Sequence, residues 1–262
     1  MYNRKEQKQE AKALIRGHQR FFFILFIPFL LIEIVYSVLG NQASFDSTVT
    51  SGTIKINSLD VLINSLASVI FSILAAIFLM GAIYTVFNVL RGKDDFQRPL
   101  RKSLSFIDNQ RLFWGTVGTW ILRAIFLSLW SLLSIPGIVL VALMPNPFGI
   151  TIAILEFIAV FVWIVIKSFS YSQALWIYRD GQLGDQPVGI YDAIKTSEDI
   201  MKGYKSDYFV LQLSFIGWTI LVAITYGIVG LYFFPYYYTT QVKFYEFIKE
   251  QYNKNQTVLD AE

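Results

Sequence analysis

Four ionisable residues, Glu33, Arg123, Glu156 and Lys167, lie inside long apolar runs of this 262-residue chain. A charge at the centre of a bilayer costs at least about 2.5–3.5 kcal/mol, so such groups pair with one another, face water or carry function. At about 1.5 Å per helical residue, Glu33, Arg123 and Lys167 stand roughly 15–20 Å from the cytoplasmic ends of their runs, near the membrane midplane. These three form a candidate intramembrane charge site. Pairing of Glu33 with Arg123 or Lys167 would make either a substrate or proton site or a structural ion pair. Glu156 falls nearer the outer surface.

Most other chemistry is excluded. The chain has no cysteine and one histidine, His18, which removes disulfides, thiolate nucleophiles and multi-histidine metal sites. It has no Gly-rich phosphate loop, GxSxG or HExxH, and its carboxylates do not cluster. Asp192, Glu198, Asp199 and Asp207 alternate with lysines as on a solvated helix face. The expectation is a protein without catalytic residues, cofactor or metal.

The elements that position these groups follow from composition. Hydrophobic residues make up 55% and charged residues 16%, against about 25% charged in soluble domains. Several apolar runs exceed the roughly 20 residues that cross a bilayer core of about 30 Å. The fold class is therefore all-α, a polytopic membrane helical bundle with about six transmembrane helices. Spans are expected at 21–40, 62–90, 113–135, 150–178, 208–227 and 229–248, within one integral membrane domain, 1–262. Residues 138–149, broken by Pro145 and Pro147, read as an outer turn. The fifth and sixth spans make a tight hairpin at Gly227 and Gly230, and residues 249–262 form a polar tail. Ser65, Ser68, Ser72 and Ala76 recur at helical spacing, a small-residue stripe suited to close helix packing or to a pore lining.

Orientation comes from the basic residues. Of 22 Lys and Arg, Lys55 alone falls in an outer segment, with Arg123 and Lys167 inside spans. Both termini are expected in the cytoplasm of a plasma-membrane protein. Residues 1–20 are basic and carry an apolar stripe of Ala11, Leu14 and Ile15. Charge alone would suit a nucleic-acid arm, but a span follows directly, so the segment reads as lying on the anionic inner leaflet. Membrane lipids are the expected partners, with no nucleic acid. The first span has a long polar lead and no small-residue cleavage site, which makes it an uncleaved anchor.

Three junctions look alike. Ile15-Arg16-Gly17-His18, Ile107-Asp108-Asn109-Gln110-Arg111 and Met201-Lys202-Gly203-Tyr204-Lys205 each end an amphipathic stretch and precede aromatics that open a span. Gly or Asn at such a corner suits the left-handed conformation that ends helices. The chain thus reads as three repeated units, each a short cytoplasmic interfacial helix and a two-span hairpin, over about 1–90, 91–178 and 179–262.

The carboxy-terminal unit resembles a known family. Ala193-Ile194-Lys195 with Ser197, Met201-Lys202-Gly203, Leu213-Ser214-Phe215-Ile216-Gly217-Trp218, and Pro235-Tyr236 with Phe244-Tyr245-Glu246 are similar to motifs of a bacterial integral membrane family, domain of unknown function 975. Ile135-Pro136-Gly137-Ile138, Tyr171-Ser172-Gln173-Ala174 and Arg179-Asp180 also resemble family positions, as does Ala11-Lys12 with Gly17. The stretch between Pro136 and Tyr171 is longer than the family pattern. The resemblance implies membrane helices and brings no activity with it. More distantly, the arrangement looks like the membrane part of some bacterial glycerophosphodiesterases, without their catalytic domain. Two functions remain open. The first is a non-enzymatic scaffold or accessory subunit, with a protein partner or self-association. The second is a small transporter of a lipid, peptide or ion using Glu33, Arg123 and Lys167, although clearly broken spans at matched positions are not evident in the sequence.

Overall fold

A computed structural model describes residues 2–46, 58–184 and 187–259. These residues are helical, with no strand among them. Five helical stretches are long and apolar enough to cross a membrane: Gln19–Ser37, Leu62–Leu90, Gln110–Leu143, Pro147–Leu183 and Lys205–Ile224. The stretch expected as the sixth span, 229–248, is helical but is not among the five. Between the first two expected spans the chain is helix to Asp46, and residues 47–57 lie outside the described residues. By their contacts the residues form two compact units, Met1–Asn109 with Ser214–Phe244, and Gln110–Leu213 with Tyr245–Glu262.

The first unit begins with α1 (Arg4–Gly17), whose amino end is capped by the Asn3 side chain. Of the predicted stripe, Ala11 and Ile15 are fully buried, so protein covers that face. Then come α2 (Gln19–Asp46) and α3 (Ser58–Leu90). They meet through Phe29, Leu30 and Ala75, with Phe78 and Leu79 packed around them. The serine stripe does not make this contact: Ser65, Ser72 and Ala76 are exposed. The short helices α4 (Pro99–Ser103) and α5 (Ser105–Asp108) press Ser103 and Phe106 inward. Their Leu100, Leu104 and Ile107 share an exposed side. Gly81 of α3 lies so close to the Ser103 carbonyl that a Cβ there would overlap it.

The second unit opens with α6 (Gln110–Ser131), followed by a 3-10 turn at Leu132–Ser134 and α7 (Ile135–Leu143). The expected outer turn is thus mostly helix. Pro136 sits in the first turn of α7, where its missing N–H has no helical partner to lose. The true turn is confined to 144–146, where the Asn146 side chain accepts from the Gly149 N–H and starts α8 (Pro147–Ser170). Next stand α9 (Ala174–Leu183), α10 (Ile190–Ile200) and α11 (Lys205–Leu213). In α6 the buried Leu112, Gly115, Thr116 and Thr119 fall on one helical stripe. Gly115 leaves room for the Tyr178 hydroxyl of α9. The amphipathic reading of α10 holds: Ala193, Ile194 and Ile200 are buried, with Ser197 among them. The last helices are α12 (Ile216–Ile224) and α13 (Gly230–Leu259), whose residues up to Phe244 belong to the first unit and later ones to the second.

The three similar junctions each join a short helix to a longer or apolar one, but they turn differently. Gly203 adopts φ +84°, the left-handed conformation expected of it. His18 ends α1 at φ −137° and Asn109 ends α5 at φ −110°, so neither corner is left-handed.

Candidate functional site

The apolar stretch 147–183 is interrupted at Tyr171–Gln173, between α8 and α9. Such a break frees backbone groups that must find partners when buried. Ser197 of α10 supplies them: its hydroxyl donates to the Ser170 carbonyl at 2.7 Å and accepts from the Gln173 N–H at 3.1 Å. The Ser172 hydroxyl donates to the Phe169 carbonyl at 2.8 Å. Ser197 is fully buried and used on both sides, which leaves no lone hydroxyl for nucleophilic work.

One turn before the break, the Lys167 ammonium donates to the Glu198 carboxylate of α10 at 2.7 Å. It also stands 4.9 Å from the Trp130 ring, 5.5 Å from Trp163 and 5.9 Å from Tyr171. Cation–π attraction of this kind contributes about 0.5–2 kcal/mol as the site dries. Trp130 Nε1–H in turn donates to the Tyr171 hydroxyl at 3.2 Å.

At the far end of α9, Arg179 is 1% exposed and donates to Asp180 Oδ1 at 3.0 Å. Asp180 Oδ2 accepts from the Tyr245 hydroxyl at 2.9 Å and from Lys249 Nζ at 2.6 Å, both on α13. Donors on both oxygens of a carboxylate make charge-assisted hydrogen bonds, stronger than neutral ones. Asp180 ties α9 to α13 within the second unit.

The first unit has its own interruption, at Ser214–Phe215 just before α12. Lys8 of α1 reaches it, donating to the Ser214 hydroxyl at 2.9 Å and to its carbonyl at 3.4 Å. The ammonium sits 4.2 Å from the Phe215 ring. Burial, then the nearby charges of Arg4 and Lys12, holds the Lys8 pKa below its ordinary value. Glu10, also on α1, pairs with Lys243 of α13 at 2.6 Å.

Of the three predicted site residues, Glu33 is exposed on α2 in the first unit, and Arg123 and Lys167 are half-buried in the second. The carboxylate bonded to Lys167 is Glu198, not the expected Glu33. Glu156 lies over Gly137, where the missing side chain leaves it room. Among the described residues no group of His, Asp or Glu is placed to hold a metal ion.

A model of one protein family, described as protein of unknown function (DUF975), matches residues 1–252. The chain belongs to that family. The match does not extend to the membrane part of glycerophosphodiesterases, and no curated protein and no solved structure matches the chain. In this DUF975 protein two pairs of family-like segments meet within the second unit. Tyr171-Ser172-Gln173-Ala174 is the break in the fourth apolar stretch, and Ser197 satisfies it. Arg179-Asp180 meets Tyr245. The ionic cluster at Asp180 and the bridging role of Ser197 were missed by reasoning from charge placement. The signal was the family-like residues themselves, but no helical spacing links Asp180 to Tyr245 or Ser170 to Ser197.

Proposed function

We propose that this DUF975 protein is a non-enzymatic scaffold or accessory subunit of the plasma membrane. Both termini and the helices α1, α4–α5 and α10 lie at the cytoplasmic face. The distribution of Lys and Arg supports that orientation. The exposed Leu100, Leu104 and Ile107 give α4–α5 an apolar side to set against the inner leaflet.

The observation that carries this reading is the state of the two interrupted stretches. Transporters use broken membrane helices to present unsatisfied backbone to a substrate or ion. Here the break at Tyr171–Gln173 is filled by Ser197, and the break at Ser214–Phe215 by Lys8. Both are consumed in helix packing. Depth supports the same view. Arg123 lies twenty residues before Leu143, and Lys167 twenty after Pro147, the two ends of the α7–α8 turn. That is about 30 Å of helix, one bilayer core. Both cations then mark the cytoplasmic boundary rather than the midplane, because α6 and α9 continue past the bilayer on that side. The exposed Ser65, Ser72 and Ala76 favour packing of another helix against α3, from a protein partner or a second copy.

Transport of a lipid, peptide or ion is the second reading, favoured by the existence of the breaks. Mass spectrometry of the full chain purified in native-lipid particles separates the two. A stoichiometric protein partner, or a stable self-assembly, is the result expected. A bound small molecule or one enriched lipid, with no protein partner and no assembly, would shift the assignment to transport.

A further inference from the structure

The hairpin formed by α12 and the start of α13 ends well short of the far end of α3, which runs on to Ser58. Ring pairs set its level. Phe26 lies 6.1 Å from Tyr238, and Phe29 lies 5.0 Å from Phe234. Gly230 is packed against Leu30, and Gly227, at the tip, against Ile34. From Ile34 the apolar run of α2 continues only to Gly40, about 9 Å. The wall beyond the tip is therefore mainly that of α3, whose Phe71 stands level with Tyr36. On α3, Leu59, Leu62, Ile63, Leu66 and Ile70 stay exposed toward that far end. Apolar wall therefore extends well beyond the hairpin tip.

At its base, the hairpin starts beside the Lys8 ammonium, a group that stays at the polar boundary. The stretch Lys205–Ile224 is long enough to cross, but it is broken at Ser214–Phe215. From that break α12 is nine residues long, about 14 Å, less than half of a core of about 30 Å. The tip is apolar and open: Ile224, Tyr226 and Ile228 are 68%, 78% and 70% exposed. A turn set in hydrocarbon must satisfy its own backbone, and this one does so for its N–H groups. Each N–H from Thr225 to Phe233 has an acceptor within the hairpin. The Gly227 N–H reaches back to the Val222 carbonyl at 2.9 Å, a closure its φ of +89° permits. The Val229 N–H, which has no carbonyl partner, donates to the Thr225 hydroxyl at 3.3 Å. A turn facing water needs no such internal supply.

We propose that residues 214–238 form a re-entrant hairpin, an apolar surface that inserts into the hydrocarbon of the cytoplasmic leaflet and returns to the same side. The inference rests on the membrane reading above. It changes the expected topology from six crossings to four crossings and one half-inserted hairpin, with both termini still on one face. A protein built so displaces lipid in a single leaflet.

The chain has no cysteine, so a nitroxide placed by Ile228→Cys or Ile224→Cys is unique. Both sites are exposed, and neither substitution disturbs packing. The full-length protein is reconstituted in vesicles of phosphatidylethanolamine and phosphatidylglycerol. Collisions of the nitroxide with oxygen and with a water-soluble nickel chelate are then compared. Leu129→Cys, on the exposed apolar side of α6, serves as the lipid reference. The expected result is loss of nickel-chelate collisions at Ile228 and Ile224, with oxygen access as at Leu129. Nickel access at both tip sites, with Leu129 remaining in lipid, would overturn the hairpin, whether because it crosses or because it never enters. Nickel access at all three would overturn the membrane reading itself.

Discussion

Asp180 concentrates more polar interactions than any predicted site residue: Arg179, Tyr245 and Lys249 all donate to its carboxylate. Its side chain is only 7% exposed and that of Arg179 2%, so Asp180→Asn would take the anion away from a buried guanidinium. Loss of about 3–5 kcal/mol is expected, read as a marked fall in thermal unfolding temperature in detergent. Lys249→Met, at a more open position, should cost about 1 kcal/mol or less. Near-equal effects of the two would show that Asp180 is not the hub. A second residue-level prediction concerns the 94–102 corner, outside the spans. Hydrogen bonds from Lys102 and the Gln97 N–H hold the Asp95 pKa below its ordinary value. Burial opposes protonation of Lys102, but its bonds to Asp94 and Asp95 outweigh that and raise its pKa. A lowered carboxylate pKa stabilises the fold above the unfolded value and ceases to as pH falls through the folded one; a raised lysine pKa stabilises below its unfolded value and ceases to as pH rises through the folded one. Hydrogen exchange at Gln97 should therefore stay slow through neutral pH. It should quicken as acidity passes below the usual Asp range, and again in alkali above the usual Lys range. Exchange independent of pH, after correction for intrinsic rates, would contradict the link. Charge placement in the sequence pointed to Glu33, Arg123 and Lys167, because a lone charge in an apolar run is visible in one dimension. Asp180 sits at the end of such a run beside Arg179, and its partners Tyr245 and Lys249 come from a helix far along the chain.

Among elements, close approach is set by glycines whose neighbours are backbone. Gly81→Ala would drive a methyl into the Ser103 carbonyl, and α3 and α4 cannot both keep their places. A cost of about 1–3 kcal/mol is expected. Gly217→Ala in α12 meets nothing within 4 Å and should be neutral or stabilise by up to about 1 kcal/mol. Paired thermal unfolding curves test this, and equal shifts would contradict the α3–α4 contact. The helices themselves were legible from apolar length and from the polar corners between them. The amphipathic face of α10 was legible too, since Ala193, Ile194 and Ile200 follow the helical period. The interruptions at Tyr171–Gln173 and Ser214–Phe215 were not. No proline or glycine pair marks them, and they persist because Ser197 and Lys8 supply partners from elsewhere. The turn at 138–149 was read too wide because Pro136 looks like a breaker but serves as a first-turn residue of α7.

For the molecule as a whole, five stretches are long and apolar enough to cross a membrane, and membership of the DUF975 family covers residues 1–252. Composition was enough to read the class, since no soluble core could absorb 55% hydrophobic residues with so little charge. The division into two compact units was not legible, because the end of α13 joins helices that lie earlier in the chain. The sidedness proposed above follows from the basic residues and is open to direct test. The decisive measurement is the location of reporters on the full-length protein in intact cells, one at each terminus and one inserted at Pro145. A reporter that folds only in the cytoplasm should be active at both termini and silent at Pro145. Activity at Pro145, or silence at either end, would contradict the proposed topology.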